Sequence, residues 1–447
     1  MRVDRATLTD LSILDPDAEG LSLFALVDRT VSRTGQAILR RKMQAPLSSA
    51  ADIREAQDAI RHLMQHRDAI RRIIGALDPD AADRYLGLKW EAATARSALA
   101  RFAERVVLRL RYGDAVRQIR TGVAALHALL KGLPGLGEFL AGGPALLHRY
   151  AVQLEDLRRE GRLDDVRRHA GAARLGETLT ADRLARGAAR QTIHRCIAIV
   201  AELDALSALA GATAEHGWCL PEMVDEVGIV DVHGLRHPFL PGAIANDLVI
   251  ADHHRIVAVT GPNMAGKSTL LKAAGIAVYL AHLGCGIPAT RARLSRFDGL
   301  MASLNVRDSL ATAQSFYLSE VRRIRDLVVL IEAVPRVFAL LDEPFKGTNV
   351  HDATEATTLL IDGLCAQVAS TVLAATHLAE VVRSRSHEPG LAAVFLRATE
   401  GESGPEFDYV LHHGVSDQRL GMTLLQREGV TSALVAAIHR RRQVRLA

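Results

Sequence analysis

The chain has 447 residues, room for two or three domains, and 49% of them are apolar, so a globular protein with buried cores is expected. A formal net charge of +4 suits a nucleic-acid partner and equally suits enzymes without one, so charge selects neither. Cys196, Cys219, Cys285 and Cys365 lie far apart with no CxxC pair, as core thiols of a reducing compartment do; no charged-then-apolar leader is present, and the longest apolar stretch, residues 270–283, is interrupted by Lys272. These features predict a cytoplasmic protein with no membrane partner.

Aromatic residues are only 4% of the chain while Ala, Leu and Arg are abundant, which predicts a helix-rich protein with its strands concentrated in one part. Residues 1–224 read as helix after helix. The clearest begins at a capping pattern, Ser49 with Asp52, and places Ile53, Ile60, Leu63 and Met64 on one stripe. A Gly/Pro-rich stretch at 132–144 reads as a break between two helical blocks. After Glu226 the pattern changes to short β-rich runs at 228–232, 248–250 and 255–260, then a helix, then further apolar strands at 337–341, 370–374 and 391–396. The expected fold is α + α/β, an all-helical first part followed by an α/β nucleotide-binding part.

Gly261-Pro262-Asn263-Met264-Ala265-Gly266-Lys267-Ser268 fits the G-x-x-x-x-G-K-[ST] pattern, with Thr269 next, between a predicted strand and a helix beginning near Ser268. A chance match in a Gly-rich turn is the competing reading, and the flanking strand and helix weigh against it. Such a loop lets backbone N–H groups and a helix N-terminus face a triphosphate. Lys267 then reaches the β- and γ-phosphates, and Ser268 binds Mg²⁺. The run from Val337 to Leu341 ends in Asp342 and Glu343, two carboxylates where ATP hydrolysis needs one acid for Mg²⁺ and one for the attacking water. Asp342 is assigned the first role and Glu343 the second; a structural acidic pair is the competing reading, against which an unpaired carboxylate pair is costly without a cation or water network. His377 follows the next strand, placed to touch the γ-phosphate or the water. A lone His is more often a packed core residue, and only its position favours the catalytic reading.

The segment from Thr260 to Thr269 resembles the phosphate loop of the MutS family, including the Pro-Asn-Met insert that most other P-loop proteins lack. The resemblance continues in Asp342-Glu343, Gly347-Thr348-Asn349 with Asp352, and Thr376-His377, in the family's order. It implies a P-loop, ABC-like ATPase domain at 226–447 with C-terminal dimerisation helices, preceded at 1–225 by a helical lever and core domain. The stretches 21–30, 40–47 and 57–60 look like the start of that lever, and the tail from 409 to 438 is similar to the family's C-terminal helices. The segment Gln314 to Glu320 is similar to the element that completes the opposite subunit's ATP site in MutS dimers, so Ser315, Asn349 and Asp352 are expected to act in trans; a Ser before a helical run also reads as a plain N-cap.

Departures from the family pattern carry expectations too. The chain starts almost directly at the lever, without the mismatch-reading and connector domains, and a clamp, if one remains, falls at about 101–168. Ala243 stands where the family stacks an aromatic on adenine, beside Ile244, which is taken as the base contact, and Pro344-Phe345-Lys346 differs from the usual wording. No Smr-type nuclease is expected after the ATPase part.

Arg101, Arg105 and Arg109 form a basic stripe at i, i+4, i+8, and Arg158, Arg159, Arg162, Arg167 and Arg168 a second cluster. Both are interleaved with acids, as exposed helices are, and it is the resemblance that favours DNA. Arg440 to Arg442 read as a frayed, solvated end. The reading is thus a homodimeric, MutS-related ATPase acting with ATP and Mg²⁺ on double-stranded or branched DNA in repair or recombination. The alternative is an ATP-gated scaffold that uses its arm on proteins.

Overall fold

The structure, a computed structural model, describes residues 1–88, 113–160, 162–251, 254–304, 316–367, 370–401, 404–416 and 425–446. Arg101, Arg105, Arg109 and Ser315, and part of the stretch assigned to a clamp, lie outside the described residues. The chain divides into two compact units. One is Ser12–Leu220 with Leu280–Ile287; the other is Met1–Leu11, Pro221–Tyr279 and Pro288–Ala447.

The first residues, β1 (Arg2–Val3) and α1 (Arg5–Asp10), belong to the second unit. The helical unit then runs through α2 (Leu23–Val27), α3 (Arg33–Gln44), α4 (Ala50–Gln65), α5 (Arg67–Leu77), α6 (Pro79–Gly87), α7 (Gly113–Ala141), α8 (Ala145–Glu160), α9 (Leu163–Ala170), α10 (Leu175–Arg186) and α11 (Arg190–Glu215). Helix α11 is its axis, packed most extensively on α3 and α4. By length and composition, α7 and α11 could each cross a membrane, a property the sequence reading assigned to no segment; in α11, 89% of the most apolar window is buried inside the protein, and in α7 39%. A helix apolar on all sides is a core helix when its neighbours surround it.

Asp204 is a buried acid on α11. Its buried carboxylate accepts the N–H groups of Val31 (3.0 Å) and Ser32 (2.9 Å) and the Ser32 hydroxyl, while Ser32 itself caps α3 through the Gly35 N–H (3.0 Å). Burial pushes the Asp204 carboxyl up from its ordinary range, and these donors oppose the shift. Asp204→Ala strands three donors at once and is expected to lower stability by about 2–4 kcal/mol. A urea midpoint unchanged from the wild type would show that the cap does not need its acceptor.

The expected break at 132–144 is present but confined to residues 142–144, between α7 and α8. Helix α7 continues through Pro134 to Ala141, because Leu126, Leu129, Leu130, Leu133, Leu136 and Leu140 form one buried stripe whose packing outweighs local propensity. Gly132 serves close approach there: a Cβ would meet Leu77 Cδ2 at 2.5 Å. The Ser49 cap of α4 is present, with Ile53, Ile60 and Leu63 buried, and Met64 only partly so.

The second unit carries β2 (Glu222–Val224), β3 (Val230–Leu235), β4 (Asn246–Ile250), β5 (Ile256–Thr260), α12 (Lys267–Ala281), β6 (Arg291–Ser295), β7 (Gly299–Ser303), α13 (Phe316–Ala333), β8 (Val337–Asp342), α14 (Val350–Cys365), β9 (Thr371–Ala375), α15 (Ala379–Ser384), β10 (Leu391–Gly401), β11 (Gly404–His413) and α16 (Val430–Leu446). The larger sheet has the order β1-β7-β8-β9-β5-β10-β11, parallel throughout except for the β10–β11 pair; β2, β6, β3 and β4 form a second, smaller sheet. Strands β5, β8 and β9 are nearly continuous apolar runs, as strands covered on both faces must be.

Two expectations fail at the chain's ends. The start is not wholly helical, since β1, a two-residue strand too short to show any period, pairs with β7. Tyr409 to His413 is strand, not helix, and Arg440 to Arg442 continue α16 in place of a frayed end.

Candidate functional site

The crevice of an open parallel sheet lies at the C-terminal ends of its strands. Here β5, β9 and β8 are adjacent, with Val259 opposite Ala375 and Ala375 opposite Asp342. Strand order therefore brings together the ends of three segments that are up to about a hundred residues apart in sequence.

The 261–266 loop leaves β5 and turns into α12. Gly261 has φ +140°, and a Cβ there would lie 2.7 Å from the Leu396 carbonyl oxygen, so only glycine passes. Met264 adopts φ +71° and is 80% exposed, while Ala265 behind it is buried. Lys267 opens α12 with its side chain 5% exposed. Its ammonium donates to the carbonyls of Gly261 (2.9 Å) and Pro262 (3.1 Å) and lies 3.7 Å from Glu343 Oε1. Asn263, like Met264 and Ser268, faces solvent.

Ser268 donates its hydroxyl to Asp342 Oδ2. Burial pushes the Asp342 carboxyl up and the neighbouring Glu343 adds to the shift, whereas Ser268, Lys267 and Lys346 oppose it. Glu343 stands just past β8 with φ +49°, its N–H held by the Ala375 carbonyl at 2.9 Å. His377, half exposed, has Nδ1 4.0 Å from Glu343 Oε2. The fold thus gathers Lys267, Ser268, Asp342, Glu343 and His377 around one point. A hydroxyl and a carboxylate that crowds a second carboxylate suit a hard divalent cation sharing its other positions with water and phosphate oxygens.

Asn349 and Asp352 are engaged with each other. Asn349 caps α14 by accepting the Asp352 N–H (3.0 Å), and its amide donates to Asp352 Oδ2 (2.7 Å). Both are exposed.

Beside the loop is a cavity of about 480 Å³ lined by Leu240, Ala243, Ile244, Asn246, Gly266 and Tyr409, among others. Asn246 holds it together, donating to the Tyr409 carbonyl (2.9 Å) and accepting the Leu411 N–H (2.7 Å), and Arg236 donates to the Ala243 carbonyl (2.5 Å). Tyr409 and Asn246 are residues the sequence reading missed. Between Leu396 opposite Leu411 and Ala398 opposite Phe407, β11 carries extra residues; Tyr409 sits in this bulge with φ +54°, which aims its ring at the loop. A Cβ on Gly266 would lie 3.3 Å from that ring. Nothing local in the sequence marks a bulge set by the pairing of two strands.

The described residues thus define a protein of two units, one helical and one built on a mostly parallel sheet with a glycine-rich loop facing an acidic pair. Residues 6–210 match the family model described as MutS domain III, and residues 257–444 that described as MutS domain V. The DNA mismatch repair protein MutS of Chlorobium limicola is 31% identical over 254 residues, 55% of this chain and 29% of that protein. That of Erythrobacter litoralis is 29% identical over 257 residues, 56% of this chain and 29% of its own length. The chain therefore spans less than a third of the relatives it matches. It belongs to the MutS family.

Proposed function

We propose that this chain binds ATP at the 261–268 loop and hydrolyses it, with the sheet-bearing unit (Met1–Leu11, Pro221–Tyr279 and Pro288–Ala447) as its ATPase part and the helical unit (Ser12–Leu220 with Leu280–Ile287) as its lever. One observation carries the reading. The buried Lys267 ammonium rests on loop carbonyls at the ends of adjacent strands, beside Glu343 and the Ser268–Asp342 pair. On binding, Lys267 exchanges those carbonyls for β- and γ-phosphate oxygens, while the N–H groups of the loop and of the first turn of α12 receive the phosphates. Ser268 and Asp342 are the residues that would hold Mg²⁺, which supplies charge neutralisation on the phosphates. Glu343 orients the attacking water and takes its proton, and His377 contacts the γ-phosphate or that water.

The adenine enters the cavity beside the loop, with Ile244 on its wall and Tyr409 offering a ring in place of the aromatic that Ala243 does not supply. Tyr409→Ala is expected to raise the KM for ATP by roughly 5- to 30-fold at nearly constant kcat, the worth of one base–aromatic stack. An unchanged KM would remove Tyr409 from the base site.

The chain acts, on this reading, as a cytoplasmic homodimer through its ATPase part, with Ser315, Asn349 and Asp352 facing the partner's nucleotide and ATP-driven closure moving the helical arm on DNA. The relatives' printed name, DNA mismatch repair protein, supports a repair role, and double-stranded or branched DNA other than a mismatch is the proposed ligand. A second reading, an ATP-gated scaffold working on proteins, draws on one observation. Arg158, Arg159, Arg167 and Arg168 each pair with Glu155, Asp164 or Asp165 within the helical unit, as solvated helix faces do. The deciding experiment is steady-state ATP hydrolysis with linear, mismatched and four-way-junction DNA across a salt titration. Stimulation by branched DNA that fades with salt supports DNA handling. Robust turnover indifferent to every DNA transfers the assignment to the scaffold.

A further inference from the structure

The turn that follows the acidic pair has an unusual backbone and a specific holder. Glu343 (φ +49°) and Phe345 (φ +67°) both occupy the left-handed region, two Cβ-bearing residues within three positions, which local preference disfavours. The turn keeps this shape because it is tied at both ends. At its start, the Glu343 N–H donates to the Ala375 carbonyl (2.9 Å). At its end, Glu320 on α13 accepts the Gly347 N–H at Oε2 (3.0 Å).

Glu320 is only 4% exposed, and burial pushes its carboxyl up while the Gly347 N–H and the Lys346 charge oppose that shift. A buried carboxylate is an expensive way to fill space, and it is retained where its acceptor oxygens hold something. The rest of the contact is shaped to it. A Cβ on Gly347 would lie 2.6 Å from Phe316 Cδ1 and 3.0 Å from Glu320 Oε2, Lys346 Nζ stands 5.5 Å over the Phe316 ring, and Phe345 is buried with its ring 6.5 Å from that of Tyr317. Phe345 therefore tolerates a conformation that glycine would adopt freely, because α13 grips the turn around it.

We propose that Glu320 is a positioning residue for Glu343: by holding the Gly347 N–H at the end of the 343–347 turn it sets where the Glu343 carboxylate stands relative to Lys267 and Asp342. The proposal rests on the hydrolytic reading given above. Glu320 is buried against the turn, so on this proposal its effect belongs in kcat and not in nucleotide binding.

The test compares Glu320→Ala and Glu320→Gln with the wild type by kcat and KM for ATP, and by amide hydrogen exchange across residues 342–348. Glu320→Ala is expected to lower kcat by about 10- to 100-fold with KM within about threefold, the scale of a misplaced catalytic group, and to speed exchange in that segment. Glu320→Gln keeps one acceptor oxygen, folds as the wild type does by circular dichroism, and recovers most of kcat and of the protection. A wild-type kcat in Glu320→Ala overturns the proposal, whether or not exchange is faster. So does a folded Glu320→Gln that recovers neither kcat nor protection. If the wild type itself does not turn over ATP, it is the hydrolytic reading that falls, and exchange at 346–347 alone decides whether Glu320 holds the turn.

Discussion

Glu343→Gln should abolish steady-state turnover, by about 10²- to 10⁴-fold, while ATP binding stays at or above the wild-type affinity. The amide has the shape of the carboxylate but cannot take a proton from water. The Glu343 charge also works against Asp342, adding to the upward shift that burial imposes on its carboxyl. Neutralising Glu343 relieves that repulsion beside the atoms assigned to Mg²⁺, so the ground state has no reason to weaken. Single-turnover hydrolysis and equilibrium binding of ATP measure the two effects separately. Hydrolysis at the wild-type rate would mean that another group handles the water.

Lys267→Ala has a different signature, because it acts on binding and on chemistry together. The ammonium is the buried cation among the described residues of the loop, held by the carbonyls of Gly261 and Pro262 and 3.7 Å from Glu343. Its removal leaves two carbonyls pointing into the site and takes an opposing charge away from Asp342 and Glu343. A loss in kcat/KM of about 10²- to 10³-fold is expected, with ATP affinity reduced as well, since a positioned charge on a developing phosphate oxyanion is worth several kcal/mol. Retention of wild-type affinity for ATP in this variant would disconnect the loop from the phosphates. Neither change should unfold the protein: Glu343 lies beyond the end of β8, and Lys267 at the first position of α12 adds nothing to the apolar packing of β5, β8 and β9.

Short-range order explains what could be read from the residues in a row. The nearly continuous apolar runs of β5, β8 and β9 are visible as strands because a strand covered on both faces carries few polar residues, and β8 ends at Asp342, where the acidic pair interrupts that run. The Ser49 cap, the stripe on α4 and the glycine-rich loop with its lysine are likewise patterns within a dozen residues, set by the geometry of one helix end or one turn.

What depended on distant partners was not legible. Propensity marks Gly132 and Pro134 as breakers, yet α7 runs through both, because its leucine stripe is buried and Leu77 fills the space a Cβ would take at Gly132. Nothing in Arg2 and Val3 announces a strand until β7 is beside them. Tyr409 faces the loop because of a bulge between two strands, and Glu320 reaches the 343–347 turn because the fold lays α13 beside the end of β8. The sequence by itself therefore determined which local elements and which chemical groups the chain carries. Only the tertiary structure decided which of those groups meet, since strand order, bulges and buried contacts are set by free energies summed over residues far apart in the chain.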